Sequence, residues 1–250
     1  MEPVLNPMSL NGKTVLVTGA SSGIGKAVAV LCSQMGAQVI ATGRNEERLR
    51  QTIDELAGEG HLMLAADLTD GTSRDSLINA IPPVDGVVHC AGIGHRKPCK
   101  SIDADDIAKV MEANFSSAVL LQSALLSKKK INKSASIVFV SSRTADIPTI
   151  ANSVYSASKG ALKSYARCLS LELASRCIRV NCICPAMVWT PLILEDGATE
   201  EQLQEAQAKY PLKRYGRPED IANLAVFLLS DASSWMTGSC IDITGGSIEL

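Results

Sequence analysis

A glycine-rich turn, set between an apolar run and a helical pattern, constrains this chain more than any other stretch. Lys13 to Thr18 reads KTVLVT, a short apolar run of the buried-strand kind. It leads directly into Gly19-Ala20-Ser21-Ser22-Gly23-Ile24-Gly25, and a helical pattern follows from Lys26 to Met35. Strand, glycine turn and helix in that order form a phosphate cradle. Gly19 permits the tight turn, Gly23 lets backbone approach an anion, and Gly25 lets helix pack on strand. The amides and the positive end of the helix face the anion. The stretch therefore predicts dinucleotide binding, with Ser21, Ser22 and Ile24 on the turn beside the three glycines.

The rest of the chain alternates in a way that suits such a site. Further strand-like runs stand at Gln38–Thr42, His61–Ala66, Val84–Cys90, Ser136–Ser141, Ile178–Cys184 and Ser239–Thr244. Helical patterns separate them: residues 45–57 with Asn45 as cap, Asp103 to about Lys130, Ser153 to about Ser175, and Asp220–Ser230. Apolar residues make up 46% of the chain and aromatics only 4%. A core of Ala, Val, Ile and Leu fits a parallel sheet buried on both faces. The predicted fold is one α/β domain over residues 1–250, a Rossmann-type doubly wound parallel sheet of about seven strands with helices on both faces. Residues 1–11 read as a loosely held arm. Residues 191–217 break the alternation and read as an inserted substrate lid rather than a core element.

Charge and cysteine usage exclude several classes. The net charge of −2 gives no global basic footprint for nucleic acid. No apolar run approaches the roughly 18 residues of a membrane span. The N-terminal stretch lacks a basic-then-apolar leader, so the expectation is a soluble cytoplasmic protein. Eight cysteines are scattered without a Cys-x-x-Cys, and there are three histidines. Buried reduced thiols are expected, with no metal site.

Tyr155 and Lys159 are the chemical centre of the chain. Four residues on a helix is about 400° of rotation and about 6 Å of rise, so both side chains share a face. A phenol with a reference pKa near 10 is inert at neutral pH. A neighbouring ammonium favours the phenolate and lowers that pKa.

Thr18-Gly19-x-x-x-Gly23-x-Gly25 together with Tyr155-x-x-x-Lys159 resembles the short-chain dehydrogenase/reductase family. The likeness runs from about Lys13 to Gly246. It implies a ketone/alcohol oxidoreductase in which Ser142 hydrogen-bonds the substrate oxygen, Tyr155 exchanges the proton and Lys159 lowers the Tyr155 pKa. Lys159 would also hold the nicotinamide ribose. Asn114 would anchor a proton-relay water, or else serve the helix as a structural residue. Ser141 competes with Ser142, but a spacing of 13 residues before Tyr155 favours Ser142. The resemblance places Asp67, with Leu68 beside it, at the cofactor adenine, although a strand-end Asp can also cap the next helix. Pro185, Val188 and Thr190 match the segment that holds the nicotinamide carboxamide. Ala91 and Gly92 would lie against the cofactor ribose. His89-Cys90 stand where the family carries two asparagines, which leaves the bracing of the central strand open. His89 itself reads as a packed core residue.

The second strand ends in Gly43-Arg44, where an acidic residue would grip the ribose 2′-hydroxyl of NAD. Arg44 offers a planar fork for a 2′-phosphate, so NADP(H) is expected over NAD(H), the alternative being a solvent-facing Arg at the start of a helix capped by Asn45. Pro211 to Asp220 and Trp235 to Gly238 are most similar to 3-oxoacyl-(acyl-carrier-protein) reductases within the family. That likeness implies a 3-oxoacyl thioester substrate and an acyl carrier protein partner, docked by Lys128, Lys129, Lys130, Lys133 and Arg176 beside the active-site mouth. A solvated helix end is the alternative for those cations. A sugar, steroid or other small ketone is the alternative substrate, and a nucleotide-sensing protein without catalysis is a third reading. The resemblance also implies a homo-oligomer, dimer or tetramer.

Overall fold

A computed structural model describes residues 6–194 and 199–247. In chain order the elements are β1 (Thr14–Thr18), α1 (Gly23–Gln34), β2 (Gln38–Gly43), α2 (Glu46–Asp54), β3 (Leu62–Ala65), α3 (Gly71–Ala80) and β4 (Val84–His89). Then follow α4 (Ala104–Met111), α5 (Ser117–Ser127), β5 (Ile131–Val140), α6 (Ser153–Leu173) and β6 (Arg179–Pro185). The chain continues through α7 (Pro191–Leu194), α8 (Glu200–Ala208), α9 (Pro218–Leu229) and β7 (Cys240–Ile243). The strands form one sheet in the order β3-β2-β1-β4-β5-β6-β7, with every pair parallel. This is the doubly wound Rossmann-type sheet the alternation predicts. Its order reverses between β1 and β4, which opens a crevice at the carboxyl ends of those strands.

The strands are apolar on both faces because helices cover both. Leu16 faces one core, with Leu121, Leu125 and Leu162 from α5 and α6. Val15 and Val17 face the other, with Val28, Ala29 and Cys32 of α1 and Ile221, Ala225 and Val226 of α9. Alternate residues of one strand thus feed two cores, as the period-2 geometry of a strand requires. No described helix is long and apolar enough to cross a membrane.

Four elements differ from the sequence expectation. The stretch expected as one helix from Asp103 to Lys130 is α4 and α5 joined by a π-helical turn at Glu112–Ser116. The Asp103 cap is present, as a capping box with Asp106. β5 begins at Ile131 rather than Ser136, because its polar start pairs with β4 through a register shift between Val84 and Gly86. α3 was not anticipated; it is largely polar, buries only Leu77 and Ile78, and is started by Asp70 accepting from the Ser73 amide at 2.7 Å. The N-terminal arm is pinned from Pro7 onward. The Leu10 amide donates to the Met35 carbonyl at 2.9 Å, the Ala232 amide donates to Pro7, and Leu10 is fully buried. Residues 1–5 of that arm lie outside the described residues.

The 191–217 segment forms more structure than a bare insert. Ile193 of α7 and Leu203 of α8 pack with Tyr210 and Tyr215 into a small core of their own. Residues 195–198, within the expected lid, lie outside the described residues.

Candidate active site

The glycine turn lies at the switch point and closes against the loop after β4. Gly19 holds a φ of 65°, and a Cβ there would stand 2.9 Å from the Ala91 nitrogen. A Cβ on Gly25 would fall 2.2 Å from the Gly19 carbonyl oxygen. Both positions therefore exclude any side chain, and the helix sits directly on the turn. Asn45, Asp70, Asp103 and Thr199 cap their helices with side-chain oxygens. Ser22 opens α1 with no side-chain cap, and no acidic residue stands in the first turn. The leading amides of α1 thus face the groove as donors for an anion.

One groove of about 410 Å³ collects Gly19, Ser21, Ser22, Gly23, Ile24, Gly25, Arg44, Asp67, Leu68, Ala91, Gly92 and Thr190. All are residues the sequence nominates. Arg48, in the first turn of α2 after its Asn45 cap, lines the same groove and was missed; a second arginine close behind Arg44 in the sequence was the available signal. The Asp67 carboxylate accepts from the Thr69 amide at 2.9 Å and the Thr69 hydroxyl at 2.7 Å. Those bonds, aided by the Arg44 and Arg74 charges, hold its pKa below the usual carboxylate range. Asp70, not Asp67, caps the following helix.

Thr18 supplies the bracing that the absent asparagines left open. Its hydroxyl accepts from the Cys90 amide at 3.1 Å and the Ala91 amide at 3.2 Å. His89 is a core residue, stacked on Phe139 with ring centroids 4.5 Å apart and bonded from Nε2 to Gln122 Oε1 at 3.0 Å. Burial pushes its pKa down to about 4, so the ring is neutral.

A second cavity adjoins the groove across shared walls at Ile24, Cys90, Gly92, Ile93, Thr190 and Leu192. Ser142, Tyr155, Lys159, Pro185 and Val188 line it. Tyr155 and Lys159 come from the first two turns of α6, with the Lys159 Nζ 5.8 Å from the Tyr155 ring centroid. Lys159 is 5% exposed, donates to the Val140 carbonyl at 3.0 Å, and is pushed down to about 8 by burial. A lysine so placed is still largely charged at neutral pH and carries little hydration, which strengthens its action on a neighbouring phenol.

The two serines separate cleanly. Ser141 Oγ donates to the Lys159 carbonyl at 2.8 Å, which commits its hydroxyl to the backbone of α6. Ser142 Oγ accepts from the Thr144 amide at 3.2 Å and the Thr144 hydroxyl at 2.9 Å. Both bonds use its lone pairs, so its own proton stays available to the cavity. Asn114 sits fully buried in the π-helical turn. Its Oδ1 accepts from the Ile93 amide at 2.7 Å, and its Nδ2 donates to the Ile93 carbonyl and to Ser158 Oγ. A Cβ on Gly92 would approach Asn114 Oδ1 to 3.0 Å and Lys159 Nζ to 3.4 Å, so the loop after β4 must be small there.

His95, Thr144, Asn152, Met187, Leu192 and Ile193 also line the cavity and were not foreseen. They come from loops whose path depends on tertiary packing. The one available hint was the position of His95 just beyond a strand end at the switch point. Its Nε2 stands 3.2 Å from Asp106 Oδ1.

The basic cluster does not lie beside this mouth within the chain. Lys128–Lys133 lead into or begin β5, whereas Ser142 follows its far end; ten strand residues separate the two by roughly 30 Å. Several of these cations are engaged: Lys128 with Asp75 at 3.2 Å, Lys130 with the Ile81 carbonyl at 2.5 Å, and Arg176 with the Ile131 carbonyl at 2.6 Å. The expectation of docking beside the chain's own site is therefore corrected.

Comparison with known proteins agrees with this fold. Residues 19–247 match a family model described as enoyl-(acyl carrier protein) reductase. A tropinone reductase homologue of Arabidopsis thaliana is 33% identical over 246 residues, 95% of this chain and 93% of that protein. A 3-oxoacyl-[acyl-carrier-protein] reductase of Rickettsia felis is 33% identical over 97% of this chain and 100% of that protein. A solved structure from Beutenbergia cavernae, assigned as an NAD(P)-dependent gluconate 5-dehydrogenase with NADP bound at low occupancy, superposes with a TM-score of 0.86. It is 33% identical, over 96% of this chain and 98% of that one. With its glycine cradle, its tyrosine–lysine pair and its seven-stranded parallel sheet, this chain belongs to the short-chain dehydrogenase/reductase family of oxidoreductases.

Proposed function

We propose that the chain is an NADP(H)-dependent reductase of a ketone to a secondary alcohol. The carrying observation is one cavity that holds Ser142, Tyr155 and Lys159 and opens through shared walls onto the glycine-lined groove. Ser142 donates its hydroxyl proton to the carbonyl oxygen, with Thr144 fixing the hydroxyl. Tyr155 gives the second hydrogen bond and then its proton to the developing alkoxide. Lys159 lowers the cost of the resulting phenolate through its charge. The Asn114 carboxamide is engaged at both ends, so a relay water at this turn would be held by its main-chain carbonyl. NADPH, when bound in the groove, would supply the hydride. Gly19, Ser21, Ser22, Gly23, Ile24 and Gly25 would cradle its pyrophosphate. Asp67 and Leu68 would hold the adenine, Ala91 and Gly92 the ribose, and Pro185, Val188 and Thr190 the carboxamide. Arg44 would take the 2′-phosphate, and Arg48 in the same groove would strengthen that preference over NADH.

Two substrate classes divide the relatives, acyl thioesters and small ketones. The cavity sets the polar His95, Thr144 and Asn152 against the apolar Ile93, Met187, Leu192 and Ile193, so it suits a ketone with both a polar and an apolar part, and the lining alone does not select between the two classes. The carrier-protein reading requires two copies of the chain. Paired antiparallel, two α6 helices of 21 residues, about 30 Å each, would bring Arg176 of one beside the Tyr155 end of the other. Exposed Ile107, Leu120 and Leu171 on α4, α5 and α6 support such pairing.

The test is NADPH oxidation against a panel of 3-oxoacyl thioesters on carrier protein and on a small thiol, sugars, steroids and bicyclic ketones. Turnover with at least one ketone, accompanied by formation of its alcohol, is expected. Tight NADPH binding with no turnover across the panel would favour the nucleotide-sensing reading instead.

A further inference from the structure

Three of the eight cysteines meet under α6, on the side of the sheet away from the glycine groove. Cys182 and Cys184 are fully buried on β6, two residues apart and so on one face, and both belong to the core packed against α6. Cys240 on β7 packs against that same core and is partly exposed, because β7 is the edge strand of the sheet. The ladder pairs Cys182 directly with Cys240. The reductase chemistry uses none of them, and among the described residues no group of His, Cys, Asp or Glu is arranged to hold a metal ion.

We propose that Cys182 and Cys240 are a reversible thiol-oxidation site that closes to a disulfide when the protein meets a peroxide. Distance selects this pair. Paired residues on adjacent strands stand about 4.8 Å apart, inside the roughly 4.4–6.8 Å window that a disulfide spans. The diagonal from Cys184 to Cys240 adds two residues of rise, roughly 6.6 Å, and reaches about 8 Å, which no disulfide bridges without backbone movement. Contact with Cys240 and burial push Cys182 and Cys184 above the ordinary thiol range, while the Arg167 and Lys163 charges favour a thiolate at Cys240. Cys240 is also the one of the three sulfurs on a partly exposed residue, so peroxide reaches it first.

The chemistry balances with hydrogen peroxide as oxidant. The Cys240 thiolate attacks one peroxide oxygen, the O–O bond breaks, and the leaving hydroxide is protonated to water. The Cys182 sulfur then attacks the Cys240 sulfenic acid, its proton leaves with the departing hydroxyl as a second water, and the S–S bond forms. Two thiols lose two electrons, and one peroxide is reduced to two waters.

The full-length enzyme, reduced and then exposed to a slight excess of hydrogen peroxide, is unfolded in denaturant, alkylated, and its mass measured intact and after digestion. The expected result is two fewer alkylated thiols, a peptide linking Cys182 to Cys240 that is about 2 Da below the sum of its parts, and full reversal by dithiothreitol. Cys184→Ser should still form the link, and Cys240→Ser should not. The proposal is overturned if all eight thiols still alkylate, if Cys240 reaches sulfinic acid without a linked peptide, or if the link joins any other pair. Should Cys240→Ser fold poorly, the parent's peptide map and Cys184→Ser decide the matter alone.

Discussion

The groove under β1 and the cavity under β5 share a wall, yet they are made of different material. The groove is backbone. At Gly19 and Gly25 a single added carbon would strike main-chain atoms at 2.9 Å and 2.2 Å, and the first-turn amides of α1 are left without a side-chain cap. The cavity is side chains. Its chemical end is fixed by Tyr155 and Lys159, and its remaining walls come from the loops at 93–95, 144–152 and 186–193. A backbone-built site can take one shape of ligand and tolerates little substitution. A side-chain-built site can be refitted by changing a few loop residues. The first explains why the nucleotide is easy to infer, and the second why the ketone is not.

The sharpest expected contrast lies within the cavity, between two adjacent serines. Ser142→Ala removes the hydroxyl proposed to donate to the carbonyl oxygen and should lower kcat by about 10²-fold, as loss of such a donor does. Ser141→Ala removes only a bond to the Lys159 carbonyl. It should leave kcat within a few-fold and cost about 1 kcal/mol of stability in thermal unfolding. Equal kinetic effects from the two variants would mean that the wrong serine has been assigned.

The groove can be broken without touching the cavity. Arg44→Ala should weaken NADPH binding by roughly tenfold to a hundredfold, the worth of a charge-assisted hydrogen bond, and leave NADH binding near its parent value. Titration with both nucleotides decides it. Parallel loss for both would place the guanidinium away from the 2′-phosphate.

These contrasts also say what was legible in the chain. Gly19, Gly25, Tyr155 and Lys159 announce themselves because spacing alone fixes their geometry: a turn that admits no Cβ, and one helical face. The capping of α2 by Asn45, with its oxygen 2.8 Å from the Arg48 amide, was legible for the same local reason. The π-helical turn at Asn114 was not, because it depends on Asn114 reaching across 21 residues to the Ile93 backbone. The bracing role of Thr18 and the presence of His95 in the cavity are likewise non-local. The basic cluster was misjudged because proximity to β5 in sequence does not say which end of the strand is meant.

A smaller effect should appear with pH. Burial holds Lys159 down to about 8, well below the ordinary lysine value. A depressed lysine contributes its full share to stability only above its unfolded pKa and loses it as pH falls through about 8, since burial penalises the charged form. Catalysis runs the other way. The ammonium is the form that favours phenolate at Tyr155, so kcat/KM for ketone reduction should fall as pH rises through about 8, by up to about tenfold per unit. A flat profile from pH 7 to 10 would remove Lys159 from that role.

The account rests on Tyr155 as the proton donor in a cofactor-competent fold, and one variant separates those two properties in a single sample. Tyr155→Phe deletes one oxygen and keeps the ring against Lys159. NADPH titration and turnover of the ketone found by the panel should be measured on the same preparation. The account predicts NADPH affinity within a few-fold of the parent and turnover lower by at least about 10²-fold, the usual contribution of a general acid. Turnover near the parent rate, with NADPH still bound, would contradict it.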